Sequence, residues 1–168
     1  CRSSARRVIH RKSLDHSLVN GLIEDLRCSD ARDATKLSLE FLILTAGRSG
    51  EIRYAVWDEI NFAERIWTIP AGRMKSIRDH KVPLSDRALE ILRDAQSIKT
   101  ASKYIFTAEL GGALPGALLS NFVKKTLMYD VDVHGFRASF RTWAQEHSDC
   151  KAEVAEWALS HVVGNKVE

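Results

Sequence analysis

Apolar residues recur along this chain at two periods, and the change from one to the other divides it. From Ser13 the pattern is helical: Leu14, Leu18, Leu22, Ile23 and Leu26 follow one another at spacings of three and four, which gathers them on one helix face. A second helix is predicted over 31–46, where Leu37, Leu39, Phe41, Leu42 and Leu44 are apolar nearly all round, the mark of a central buried helix. The stretch Gly47-Arg48-Ser49-Gly50 breaks it, and 51–57 reads as another short helix. The period then drops. Stretches 59–62, 65–70 and 80–84 carry β-branched and aromatic residues between turn-prone segments, and they predict three short strands.

Beyond the strands the helical period returns. Ser85 is suited to cap a helix running to about Gln96, whose apolar stripe is Ala88, Leu89, Ile91 and Leu92. Residues 104–107 read as extended, Gly111-Gly112 as a loop, and Pro115 or Gly116 as the opening of a helix ending near Tyr129. Asp132 is placed to cap a helix over 133–147, and 151–160 reads as the last one. The expected fold is mainly α with a small three-stranded antiparallel sheet, an α+β arrangement with the sheet inserted after the third helix. Residues 1–12, rich in Arg and Ser, read as a linker or arm from an upstream domain, and 13–168 as one domain.

Composition narrows the class without choosing a function. A chain of 168 residues holds one globular domain with a proper core. With 45% apolar and 28% charged residues, long disordered stretches are not expected. The formal charge of +3 permits a polyanionic partner without requiring one. Cys1, Cys28 and Cys150 are odd in number and form no CxxC pair, which argues against a disulfide framework and a zinc site and suits a reducing cytoplasm. Neither a membrane-length apolar run nor a signal peptide is visible.

Three local motifs carry candidate chemistry. In His134-Gly135-Phe136-Arg137, the His and Arg lie three apart on a helix and can converge on one small anion; a helix-start His beside a solvated Arg is the plainer alternative. Arg141 falls on the same face one turn on, as a structural group or an auxiliary phosphate contact. In Thr45-Ala46-Gly47-Arg48-Ser49-Gly50-Glu51, an Arg follows a helix end and a new helix begins. Backbone N–H groups there favour an anion, which Arg48 can also reach. Glu51 can orient an arginine, or the pair can merely staple the junction. Lys75 sits on the turn between the second and third strands. A lysine there is ordinarily solvated, and it gains a role as proton donor only if the hairpin folds over a substrate.

Taken in order, these residues resemble the catalytic domain of the tyrosine recombinases, in the phage and prophage integrase branch. The resemblance runs from Ser13 to Glu168. It rests on Arg48 with Glu51 three on, Trp57, the run Trp67-Thr68-Ile69-Pro70 through Met74-Lys75 to His80-Lys81-Val82-Pro83-Leu84-Ser85, then His134-Gly135-Phe136-Arg137, and Leu159-Ser160-His161. It implies that Arg48 and Arg137 hold the scissile phosphate and that Lys75 is the general acid for the departing 5′-oxygen. By the same resemblance His134 is the proton-transfer histidine near the nucleophile, His161 a phosphate contact, and Glu51 the acidic support of the arginine site. The partner implied is double-stranded DNA at attachment sites, with an upstream DNA-binding domain before residue 13 and a tetramer on DNA for the full protein. No metal or cofactor is implied, and the spacing of His10, His16, His80 and His147 suggests no metal site.

Two positions depart locally from the family pattern: Ala46-Gly47, where Gly often precedes a small apolar residue, and Ser160, where Gly or Ala is usual. A larger departure concerns the nucleophile. The family places a tyrosine shortly after the last histidine, and this chain ends seven residues after His161. Tyr54, Tyr104 and Tyr129 lie outside that context, so the nucleophile is expected beyond Glu168 and the fragment is expected to be inactive alone. The implied reaction is transesterification through a 3′-phosphotyrosyl intermediate, in the cytoplasm. The alternative is a catalytically inert integrase remnant that binds DNA; a relaxing topoisomerase of the same chemistry fits the strand framework less well.

Overall fold

The two periods emerge as seven α-helices and one three-stranded sheet among the described residues of the computed structural model, which are 12–73, 78–98, 101–149 and 151–159. In chain order these are α1 (Val19–Cys28), α2 (Asp33–Thr45), α3 (Ser49–Arg53), β1 (Ile60–Asn61), β2 (Ile66–Ile69), β3 (His80–Pro83), α4 (Asp86–Ser97), α5 (Leu118–Asn121), α6 (Gly135–His147) and α7 (Ala152–Ala158). The expected class, mainly helical with a small antiparallel sheet, is the one observed.

The core forms where the helical layer meets the sheet. Leu39, Phe41 and Leu42 of α2 are fully buried, and the Phe41 ring lies 5.4 Å from Trp67 on β2 and 5.5 Å from Phe106. Within the sheet, of order β1-β2-β3, both pairings are antiparallel, with Ile66 opposite Pro83 and Ile69 opposite His80. Trp67 and Ile69 alternate inward along β2, as the period of two requires. A charge is also buried on α2. Glu40 accepts hydrogen bonds from Arg27 of α1 and, at 2.8 Å, from Arg87 of α4, so one carboxylate joins three helices.

Differences from the expected elements have local causes. The helix expected from Ser13 begins at Val19, because the Asp15 carboxylate takes the Ser17 N–H at 2.9 Å and hydroxyl at 2.6 Å. That local pairing competes with helix and leaves a 3₁₀ turn over His16–Leu18, with Leu18 exposed rather than packed. The Ser85 hydroxyl caps α4 as predicted, accepting the Ala88 N–H at 3.2 Å. The helix expected to reach Tyr129 is α5 followed by a π-helical turn over Phe122–Thr126. Met128, at φ 61°, closes it. At α6, Asp132 is not the cap. Its carboxylate instead takes the Lys124 ammonium at 2.5 Å, and the helix starts after His134.

Candidate active site

Arg48 is presented by the way α2 ends. The N–H of Ala46 reaches the carbonyl of Ile43 at 3.2 Å, and that of Gly47 reaches Leu42 at 3.1 Å, the paired bonds of a Schellman stop. The left-handed residue of that stop is Ala46, at φ 47° and ψ 31°, not the following glycine. At Gly47 a Cβ would stand 2.9 Å from the end of the Ile52 side chain, which would have to shift to admit it. The chain then turns into α3, where the buried Glu51 carboxylate accepts the Arg48 backbone N–H at 2.8 Å and a guanidinium nitrogen at 2.7 Å. The start of α3 is thus occupied by the protein's own carboxylate, which also holds the Arg48 guanidinium.

Arg137, in the first turn of α6, is only 4% exposed. One guanidinium nitrogen donates to the Ala46 carbonyl at 2.6 Å and another to the Leu159 carbonyl. These oxygens close α2 and α7, so a buried cation is held by two helix C-termini, whose carbonyls lack helical partners and carry partial negative charge. Burial first, and then the charge of Arg48, push the Arg137 guanidinium down to about 10, while Glu51 and Glu156 act in the opposite direction. It stays charged at neutral pH. Carbonyl dipoles solvate the guanidinium without cancelling it, and Glu51 offsets only one of the two arginine charges. The pocket therefore keeps net positive charge suited to an anion.

The chain enters the domain across the start of α6. The Lys12 carbonyl accepts the Asp132 N–H at 2.9 Å, and the Ser139 hydroxyl donates to the Leu14 carbonyl. A Cβ on Gly135 would lie 2.4 Å from the Lys12 oxygen and 2.8 Å from the Ser13 Cα. The glycine between His134 and Arg137 is thereby explained as a site of close backbone approach. His134 stands exposed at the cap position of α6, one turn before Arg137.

Arg48, Glu51 and Arg137 are thus brought together, with His134 on the same helix as Arg137. Lys75 and His161 lie outside the described residues. The flank before Lys75 is fixed near the pocket, because Arg73 donates to the Glu51 carbonyl at 3.3 Å and to the Glu59 carboxylate, which also takes the Trp67 indole N–H at 3.0 Å.

A further residue of this pocket is His80. It lies within electrostatic reach of Glu51, Arg137 and Arg48. Burial is the largest influence and holds its pKa below the ordinary 6.5, with the two arginines adding to that, against Glu51 and the Ala158 backbone. In the sequence His80 marks only a strand start. The usable signal was its position opposite Ile69, at the sheet end from which the Lys75 turn departs.

Other candidate groups are engaged elsewhere. Arg141 pairs with Glu156 at 2.7 Å, tying α6 to α7. The Tyr129 hydroxyl donates to Asp25 at 2.7 Å, and the Tyr54 and Tyr104 rings pack 6.3 Å apart. His16, Glu146 and His147 form the group with metal-compatible atom spacing among the described residues, a grouping that linear spacing could not show. The His16–Glu146 contact of 2.6 Å and the edge-on His16–His147 rings already fasten the first turn to the far end of α6. No helix among the described residues is long and apolar enough to cross a membrane.

Residues 12–162 match the phage integrase family. The prophage integrase IntA of Escherichia coli is 34% identical over 149 residues, covering 87% of this chain and 36% of that protein. The integrase of Shigella phage Sf6 is 34% identical over 137 residues, 78% of this chain and 35% of that protein. The chain therefore spans a little over a third of the length of these relatives. Among solved structures, a lambda integrase dimer bound to a core site superposes with a TM-score of 0.70 at 17% identity, over 95% of this chain and 59% of that one. XerA recombinase gives 0.72 at 15% identity, with the same coverage of both chains. At such identities these structures establish the fold, and the extended sequence match establishes descent: the chain belongs to the phage integrase family of tyrosine recombinases.

Proposed function

We propose that this chain is the phosphate-gripping catalytic domain of a site-specific DNA recombinase, residues 13–168 following an arm over 1–12. The observation that carries this is the convergence of Arg48, oriented by Glu51, on the buried Arg137. Two guanidinium groups within electrostatic reach of each other, one of them paired with a carboxylate, suit the non-bridging oxygens of a phosphodiester, whose charge grows toward the transition state. Double-stranded DNA is the substrate, and a tetramer on DNA is the working assembly; a lambda integrase relative is described as a tetramer bound to a Holliday junction. The work is cytoplasmic, where that DNA is.

The step divides as follows. A tyrosine hydroxyl attacks phosphorus, the new P–O bond to tyrosine forms, and the P–O5′ bond breaks. Arg48 and Arg137 hold the phosphate oxygens. His134, exposed at the helix start, moves the nucleophile's proton, and Lys75 gives a proton to the departing 5′-oxygen. His161 adds a phosphate contact. A 5′-hydroxyl from another strand later reverses the step, releasing the tyrosine. None of these roles requires a metal, because the arginines supply the charge.

A nicked suicide substrate tests the reading. The full-length recombinase traps a covalent 3′-phosphotyrosyl adduct. Absence of adduct with the full-length protein would leave an inert DNA-binding remnant. DNA affinity of the isolated chain should be weak and fall steeply with salt, because phosphate contacts dominate.

A further inference from the structure

At the end of α6 opposite to the arginine pocket, three side chains with metal-ligand chemistry meet. Glu146 and His147 are the last two residues of that helix. Neighbours in a helix diverge by about 100° around its axis, so a third group meets both only from between them. His16, on the 3₁₀ turn over His16–Leu18, takes that place. Its Nε2 lies 2.6 Å from the Glu146 carboxylate. Its ring meets the His147 ring edge-on, with centroids 4.9 Å apart and planes at 83°. One donor atom from each of the three residues lies within 4.8 Å of the other two.

We propose that His16, Glu146 and His147 form a binding site for a divalent transition-metal ion of the zinc class, which clips the entering segment to the end of α6. Two imidazole nitrogens and one carboxylate oxygen suit zinc, copper or nickel, whereas magnesium and calcium take oxygen ligands. A tetrahedral ion with donors at about 2.0–2.2 Å holds neighbouring donors about 3.4 Å apart. The His16–Glu146 contact of 2.6 Å therefore opens by about 0.8 Å to admit it. Glu146 and His147 are exposed and His16 is half-buried, so side-chain rotation suffices. Three protein ligands leave a fourth position for water. On the protein side, His16 and His147 edge an apolar recess with Val19, Ile23, Phe140 and Trp143, and such a wall strengthens the hold of ligands on an ion.

The ion changes what this contact is worth. A His–Glu pair with a half-exposed carboxylate contributes little alone. A metal bridge that exists only in the folded form stabilises that form by mass action. It acts on the segment that the Asp132 N–H and the Ser139 hydroxyl already hold through the Lys12 and Leu14 carbonyls, and adds a third tie at the far end of the same helix. The site stands about 15 Å along α6 from Arg137 and does not depend on the recombinase reading.

The test uses the full-length protein, stripped with a chelator, and its His16→Ala, His147→Ala and Glu146→Gln variants. Calorimetric titration with Zn²⁺ should give one site in the parent that each variant binds at least about tenfold more weakly, the smallest loss expected when a metal's surroundings are altered. Co²⁺ in its place should give the strong visible bands of a tetrahedral site in the parent and not in the variants. At about 100 times its dissociation constant, Zn²⁺ should raise the parent's unfolding midpoint by roughly 5–10 °C and leave that of His16→Ala unmoved. Without metal, the three variants should unfold within about 3 °C of the parent, which establishes that they fold. Cys28→Ser, which alters an exposed thiol elsewhere, should bind Zn²⁺ as the parent does. A parent that binds no Zn²⁺, or variants that bind it as tightly as the parent, overturn the proposal. So does binding lost in Cys28→Ser, or Mg²⁺ bound as strongly as Zn²⁺.

Discussion

The guanidinium of Arg137 lies 2.6 Å from the carbonyl oxygen of Ala46, the residue that ends α2 in a left-handed conformation. One arginine thus serves two ends: it stops the central helix and, through Leu159, receives α7. Its charge is thus built into the core rather than attached to the surface.

Removing Arg137 should therefore cost stability as well as the proposed phosphate binding. Arg137→Ala leaves two buried helix-end carbonyls without their donor and should lower the unfolding free energy by on the order of 3 kcal/mol. Arg141→Ala breaks a half-exposed pair and should cost less than about 1 kcal/mol. Urea denaturation of the two variants checks the ordering, and equal losses would mean that Arg137 is not the structural hub described.

Ala46 has the backbone of a residue better served by glycine. Its φ of 47° places the Cβ against its own carbonyl, a strain of about 1–2 kcal/mol for an L-residue. Part of that is returned as chain entropy when glycine replaces it. Ala46→Gly should accordingly raise stability by about 0.5–1 kcal/mol with the Arg137 contact kept. A loss on thermal denaturation would show that the alanine methyl packs better than its burial suggests.

Two glycines near the site should respond oppositely to the same change. Gly135→Ala drives a methyl into the Lys12 backbone and should cost about 1–3 kcal/mol, loosening the entering segment. Gly50, inside α3, has nothing within 4 Å of a would-be Cβ. Gly50→Ala should be neutral or gain up to about 1 kcal/mol from helix propensity. Calorimetry on the pair distinguishes close approach from a general intolerance of substitution.

Acid should weaken the junction of α1, α2 and α4. Burial acts to raise the Glu40 pKa, but hydrogen bonds from Arg87 and Arg27 outweigh it and the net shift is downward. A carboxyl depressed in the folded state contributes stability that is complete above its unfolded pKa and lost as pH falls through the folded value. Glu40→Gln should thus cost about 1–2 kcal/mol at pH 7, and the gap to the parent should hold down to roughly pH 5 and close at more acid pH. A gap independent of pH would remove the ionised carboxylate from this account.

Legibility followed the range of the forces involved. The three strands were readable because alternation along 66–69 and 80–83 places Trp67, Ile69 and Val82 inward. The residues of the arginine pocket were readable as types and spacings, since Arg48–Glu51 and His134–Arg137 are each three apart. Leu18 misled because a carboxylate three residues earlier captured the backbone before the helix could include it. The π-helical turn at 122–126 and the left-handed Ala46 depend on how helix ends fit their neighbours, which periodicity does not encode.

The sequence by itself determined the helix and strand periods, the stop before Arg48, and the charged residues three apart at Arg48–Glu51 and His134–Arg137, because those are properties of short segments and of side-chain chemistry. Only the tertiary structure decided that Arg137 is held by the ends of two helices, that Gly135 makes room for Lys12, and that His80 stands beside the arginine pocket. Such contacts join residues far apart in the chain. They exist because folding brings unsatisfied helix-end carbonyls and buried donors to one place, where leaving either unpaired would cost more than pairing them.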